Sequence, residues 1–348
     1  MERKASNVVK KIIILFLCTA FMPHTNSCLA VARAGSQASS SRIFRAMARV
    51  YMADGDYAKA QSLAENALNL ACEKEPLNDF FTIERSGLSV QYIANENAER
   101  CIQDELYSSQ VEEVSRCLID LAFLYKNQGK FSKAQAFAEL GLELQKKIYY
   151  KDHPYIASTL RILSSIYQSQ AKYELAENTL SQAICIMRKT HLPDDPALAP
   201  FQVDMARLLV AQGKLDEAQS IYLPAIEVIN KSYGPDHLYT AGVLESLAEL
   251  YALQEKYEEA EKLIEKTLTI QKKSYGSEHY LMIPSWLTKA EICQANGDYE
   301  QAEKLMKTAL NTAEKYLGTE HPTTAKILSR LGQLYVMKLL ENKQIKVS

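Results

Sequence analysis

Glycine and proline are scarce, 12 and 10 in 348 residues, too few for a turn-rich β sandwich or barrel. Charge of one sign is also missing. The formal net charge is −2 with an isoelectric point near 6.4, so there is no electrostatic case for nucleic-acid binding. The seven cysteines include no C-x-x-C pair, which removes the spacing of a zinc site or a dense disulfide framework. The apolar run Ile12–Met22 has 11 residues, short of the roughly 20 needed to span a bilayer. No G-x-S-x-G, H-E-x-x-H or Rossmann fingerprint occurs. No catalytic residue, metal or cofactor is therefore expected.

What is present at the N-terminus is the pattern of a secretory signal. Arg3, Lys4, Lys10 and Lys11 precede the apolar run, and Pro23 ends it. Two small-x-small sites follow, Cys28-Leu29-Ala30 and Ala32-Arg33-Ala34. Cleavage there removes five basic residues and one acidic residue and shifts the net charge from −2 to −6. No later segment is apolar enough to cross a membrane. The reading is a periplasmic or secreted protein with no membrane span after cleavage.

The body of the chain repeats. His153, Asp195, His237, His279 and His321 fall 42 residues apart, and so do Ala134, Ala176, Ala218, Ala260 and Ala302. Each unit reads as two helices. In 153–194, Pro154 suits a first helical turn because its missing N–H has no partner there. Leu160, Leu163, Ser164 and Tyr167 keep helical spacing. Gln170-Ala171-Lys172 breaks the pattern where sister units carry Gly129, Gly213 and Gly297. Tyr173, Ala176, Leu180, Ala183 and Ile184 then form a second stripe. The histidines precede helix starts, and Asp195 replaces one without breaking the step, which favours a connector role over a metal track. The unit from Asp195 also has Leu209 in place of the tyrosine and Pro224 inside its second helix, where a kink or hinge is expected.

Large-x-x-large-small-x-x-Tyr followed by Gly-x-Tyr-x-x-Ala resembles the tetratricopeptide repeat. The 42-residue step, and connectors such as Tyr233-Gly234-Pro235-Asp236-His237, resemble the subtype of kinesin light chains. The chain is not itself a kinesin light chain, because a signal sequence stands where that family has heptads. The family's Asn-Asn pair is replaced here by pairs such as Arg161-Ile162 and Val203-Asp204. The resemblance implies an all-α fold, a right-handed α-α superhelical solenoid of about seven helix-turn-helix repeats. The expected divisions are a signal and cleavage region at 1–34 and irregular repeats at 35–110. Five 42-residue repeats follow at 111–320, then a capping helix and tail at 321–348.

By the family's geometry, the first-helix arc opposite the core stripe lines a concave groove that binds a partner protein or peptide. On that arc lie Arg116, Ile119, Asp120, Phe123, Arg161, Ser165, Val203, Asp204, Arg207, Glu245, Glu249, Leu287 and Glu291. Read in order, the groove is basic toward its N-terminal half and acidic toward its C-terminal half. Cys101 and Cys117 flank a turn and are candidates for a disulfide. The leading expectation is an extracytoplasmic scaffold or adaptor. Two alternatives are a structural subunit of an envelope complex assembled through the repeats, and a repeat-containing enzyme. The last is disfavoured because the repeats consume nearly the whole chain after the signal. Cleavage after a small-x-small site predicts a mature chain beginning near Val31 or Gly35. N-terminal sequencing of envelope-fraction protein checks this, and intact Met1 in a soluble cytoplasmic pool refutes it.

Overall fold

The computed structural model describes residues 40–72, 81–84, 89–92, 105–192 and 194–345. The chain divides into two compact units. The first is Met1–Tyr125 with Ala136–Ile148. Its described elements are helices α1 (Ser40–Ala53) and α2 (Tyr57–Cys72), strands β1 (Phe81–Glu84) and β2 (Ser89–Tyr92), and most of α3 (Glu105–Asn127) and α4 (Phe131–Ile148). The second unit is Lys126–Gln135 with Tyr149–Ser348. It holds α5 (Pro154–Ser169), α6 (Tyr173–Thr190), α7 (Ala199–Ala211), α8 (Leu215–Tyr233), α9 (Leu238–Leu253), α10 (Tyr257–Tyr275), α11 (Ile283–Ala295), α12 (Tyr299–Tyr316) and α13 (Pro322–Ile345). No described helix is long and apolar enough to cross a membrane.

Each hairpin closes on an alanine. Ala134, Ala176, Ala218, Ala260 and Ala302 are all 0% exposed, and a methyl side chain is what lets the two helix axes approach. In one hairpin the Ser164 hydroxyl donates to the Ala176 carbonyl at 2.7 Å, tying α5 to α6. The large residues then fill the space between hairpins. Val203, Leu209, Tyr222, Ile229, Val243 and Leu247 form one such cluster. Trp286, Leu287, Met306, Ile327 and Leu331 belong to another, so the single tryptophan is core.

The turn between first and second helix demands a left-handed residue. Gly129, Gly213 and Gly297 supply it with φ of 75°, 78° and 79°, and Ala171 and Glu255 adopt φ of 58° and 60° at the same repeat position. Helices α7 and α11 start late, with Pro200 and Pro284 in their first turns, where no N–H is needed. Helix α8 runs unbroken through Pro224. The carbonyl deprived of its donor belongs to Ser220, an exposed residue.

The histidine ladder is a row of N-caps. Nδ1 of His153, His237, His279 and His321 accepts from the backbone N–H two residues on, at 3.1, 3.1, 3.3 and 3.1 Å. Asp195 does the same to Ala197 at 2.8 Å. A carboxylate thus replaces an imidazole in one unit and the step survives, because only an acceptor at that point is required. Tyr149, Tyr233 and Tyr275 stack on the following His153, His237 and His279 with ring centroids 4.1, 5.2 and 4.7 Å apart. At His321, Nε2 also donates to the Asn127 carbonyl at 2.5 Å within the same unit.

The irregular region departs from an all-helical reading. Phe81–Glu84 and Ser89–Tyr92 form an antiparallel pair with Phe81 opposite Tyr92 and Ile83 opposite Val90. Aromatic and β-branched residues favour such a ladder. The signal and cleavage region at 1–34 lies outside the described residues. Capping gives a direct test. His237→Ala should destabilise the protein by about 0.5–2 kcal/mol while His237→Asp stays within a few tenths, because Asp keeps the acceptor. Paired thermal melts check this; equal losses in the two variants would mean that the ring stacking, not the cap, matters.

Candidate protein-binding face

The first helices of the repeats carry three adjacent positions at the 42-residue step, and the structure gives each a different environment. Ile119, Arg161, Val203, Glu245 and Leu287 share the first position. Val203 and Leu287 are 3% and 6% exposed and sit in the hydrophobic clusters. They are core residues, not anchors in an open groove, because this position faces the neighbouring hairpin. Ile119 is half-buried, its Cδ1 2.7 Å from where a Cβ on Gly141 would stand.

The second position holds Asp120, Ile162, Asp204, Ser246, Thr288 and Arg330, and its polar members build ladder contacts between neighbouring first helices. In the first unit, Asp120 is buried and accepts from Arg45 at 2.8 Å and from Arg49 at 2.8 Å. Glu113 beside it takes Arg45 and Ser41 at 3.3 and 3.2 Å. Asp120 therefore joins α1 to α3 and is closed to a partner. In the second unit, Asp204 is the hub: Arg161 of α5 pairs with it at 2.8 Å and Arg207 at 3.4 Å. Arg161 also lies 5.5 Å from the Phe201 ring centroid. Arg207 reaches on to α9, donating to the Ser246 hydroxyl at 2.9 Å and the Gly242 carbonyl at 3.2 Å. Lys126 lies in the field of the same cluster, and burial, opposed by Asp204 and aided by Arg207 and Arg161, pushes its pKa down. Further along, the Ser285 hydroxyl of α11 donates to Glu245 of α9, and Arg330 of α13 pairs with Glu291 of α11.

Glu245 occupies a position that its sister units fill with Val203 and Leu287. Burial accordingly pushes its carboxyl up to about 7; the Ser285 hydroxyl and Arg207 oppose the shift, and Glu249 adds to it. Burial also raises Glu291, against the pull of Arg330.

The third position is the open one. It holds Phe123, Ser165, Arg207, Glu249 and Glu291. Phe123 is 42% exposed, the Arg207 side chain 44%, and Glu249 is exposed. Ser165 is half-buried and turns its hydroxyl back to the Ile162 carbonyl at 2.7 Å. Arg116, one turn before Ile119, pairs with Glu112 on its own helix. The basic-to-acidic gradient expected from the sequence is thus largely consumed inside the protein. Arg161, Arg207 and Asp204 satisfy one another, and Glu291 is neutralised by Arg330. Sequence reasoning missed these pairings, although their spacing carries a signal: Arg161 to Asp204 is 43 residues and Ser285 to Glu245 is 40, each one repeat give or take a few residues. Of the candidate disulfide, Cys117 is a buried free thiol whose pKa burial raises, and Cys101 lies outside the described residues.

The comparisons with known proteins agree with this architecture. The tetratricopeptide repeat model matches residues 105–189, 198–273 and 281–338, well over half the chain, and a second tetratricopeptide repeat model matches 44–78. The chain belongs to the tetratricopeptide repeat family. Among solved structures it is similar to NprR in complex with its cognate peptide NprX, at 12% identity over 98% of this chain and 84% of that one, with a TM-score of 0.60. It is also similar to a Rap protein complexed with competence and sporulation factor, at 12% identity over 96% and 86%, with a TM-score of 0.56. A kinesin light chain-like protein of Podosopora anserina with nearly identical TPR-like repeats matches at 25% identity over 59% and 97%, with a TM-score of 0.44. These likenesses concern the fold. No curated protein matches the sequence.

The buried Glu245 makes stability depend on pH. Its folded pKa lies above its unfolded value of 4.5, so the folded state binds the extra proton between about 4.5 and 7, and stability falls as pH rises through that window. Glu245→Gln should flatten this slope and gain stability at pH 8 relative to wild type, with little difference at pH 4. Denaturant melts across that range check it; parallel curves for the two proteins would place the Glu245 carboxyl in solvent.

Proposed function

We propose that the protein is an extracytoplasmic repeat scaffold that holds a partner protein or peptide along its first-helix face. The observation that carries this is the open third position of the second unit: a row of side chains at the repeat step, led by the exposed Glu249 and Gln333, on helices α9, α11 and α13 that the ladder fixes to one another. A face whose internal charges are matched offers a pre-ordered surface, so little entropy is lost in ordering it on binding. The likeness in fold to NprR and Rap, whose structures hold a cognate peptide and competence and sporulation factor, supports the same reading. Export rests on the order of charges, apolar run and small-x-small sites in residues 1–34. Assembly of copies through the repeats is a second reading, favoured by α13. Its Leu328 is 49% exposed where Leu160, Leu244 and Trp286 are 6% exposed at the same repeat position, and Leu339 and Leu340 are exposed further along. A size measurement on purified protein separates the two readings.

The capture experiment avoids the ladder, whose disruption would cost stability. Glu249→Lys with Gln333→Ala should reduce recovery of the partner from envelope extracts by at least about tenfold, in line with loss of a binding hot spot, with unchanged helicity. Exposed Glu258→Ala on a second helix serves as the control. Full recovery by the double variant would move the binding surface away from the first-helix face.

A further inference from the structure

One repeat has a hole in its outer packing. At the position where four sister units carry Leu118, Leu160, Leu244 and Trp286, each 0–6% exposed, the unit from Asp195 carries half-buried Gln202. Across from it, in the unit's second helix, stands Pro224, where sister helices have Leu140, Gln182, Lys266 and Thr308. A cavity of about 610 Å³ opens there between α6, α7 and α8, within the roughly 300–1,000 Å³ range of small-ligand pockets. Ile184, Met205, Ile221 and Pro224 give it an apolar lining, Gln202 contributes one amide, and Arg188 and Lys189 bring positive charge from the last turn of α6. Lys189 is shared with Asp152 at 2.9 Å; Arg188 makes no ion pair of that kind among the described residues. At about 100° per residue, Gln202 and Met205 lie roughly 160° around α7 from Asp204 and Arg207, so the cavity is separate from the face proposed for the partner.

We propose that this cavity binds a small amphipathic carboxylate, its apolar body on Ile184, Met205 and Ile221 and its carboxylate held by Arg188 with the Gln202 amide. The apolar lining selects a hydrocarbon or aryl body. The cations at one end select an anionic head, and a guanidinium offers a carboxylate two parallel hydrogen bonds. Cys185 lines the same cavity and is the exposed one among the described cysteines, Cys72, Cys117 and Cys293 being buried. It therefore reports occupancy without any substitution.

Decanoate, below its micellar concentration, is the probe and decanol the neutral control. In the unmodified protein decanoate should slow alkylation of Cys185 in a saturable way, read by mass spectrometry of its peptide, and decanol should be at least about tenfold less effective, the loss expected when an ionic hydrogen-bonded pair is removed. Gln202→Leu restores the sister-unit side chain. It should leave the thermal midpoint unchanged or raised, and should weaken decanoate binding by at least about tenfold because the body is displaced. Arg188→Gln should erase the preference for decanoate over decanol. Saturable protection that persists in Gln202→Leu would mean adsorption elsewhere and overturn the proposal, as would equal protection by decanol. Absence of any protection, with partner capture lost in Gln202→Leu, would also overturn it and assign the cavity to a partner side chain.

Discussion

A helical hairpin of this size cannot bury its apolar face alone, and the fully buried alanine at each 42-residue step is what makes stacking possible. With Ala176, Ala218, Ala260 and Ala302 at 0% exposure, paired helices lie close enough for their outer residues to meet the next hairpin. A larger residue there forces off-rotamer packing or backbone movement, which costs about 1–3 kcal/mol. The large apolar positions, the left-handed turn and the N-cap all follow from that spacing, because each fixes where the next helix begins. Stability is then a sum of hairpins and nearest-neighbour contacts.

The polar ladder adds what apolar stacking lacks, which is registry between first helices. Arg45–Asp120, Arg161–Asp204, Arg207–Ser246 and Arg330–Glu291 each join one repeat to the next. Buried and half-buried pairs of this kind give little net stabilisation after desolvation, but a sliding hairpin would leave their polar groups unmatched. Their partners are also used up. Charges that look like a recognition pattern in the sequence are largely internal fasteners.

Much of the fold was legible because it is periodic. The alanines, the turn glycines and the histidines mark helix ends and contacts at a constant step, and the structure puts helices between them. The strands at Phe81–Glu84 and Ser89–Tyr92 were not legible, since four residues each carry too little pattern to outweigh a repeat reading. On the candidate face, helical angle alone separated core from surface only roughly. It grouped Val203 and Leu287 with Arg161 and Glu245, and all four do share one repeat position. What angle could not show is that this position faces a neighbouring hairpin. It buries apolar side chains there, lets Arg161 reach Asp204, and holds the Glu245 carboxyl with a raised pKa.

The unit from Asp195 shows that the two faces of a first helix answer to different constraints. It departs most from the repeat, with an aspartate cap, Gln202 in the large apolar position, Leu209 for tyrosine and Pro224 in its second helix. Yet its inner side keeps the ladder, with Asp204 taking two arginines. Departures gathered at random would be expected to weaken both sides. Here Gln202 and Pro224 fall together at the opening, while Leu209 stays in the buried cluster and Asp204 keeps the unit in line with its neighbours. The helix can therefore carry an opening on one face and a fastener on the other. That separation lets one hairpin of the second unit stay bonded to its neighbours through Asp204 and Arg207 and still differ from its sisters at Gln202 and Pro224.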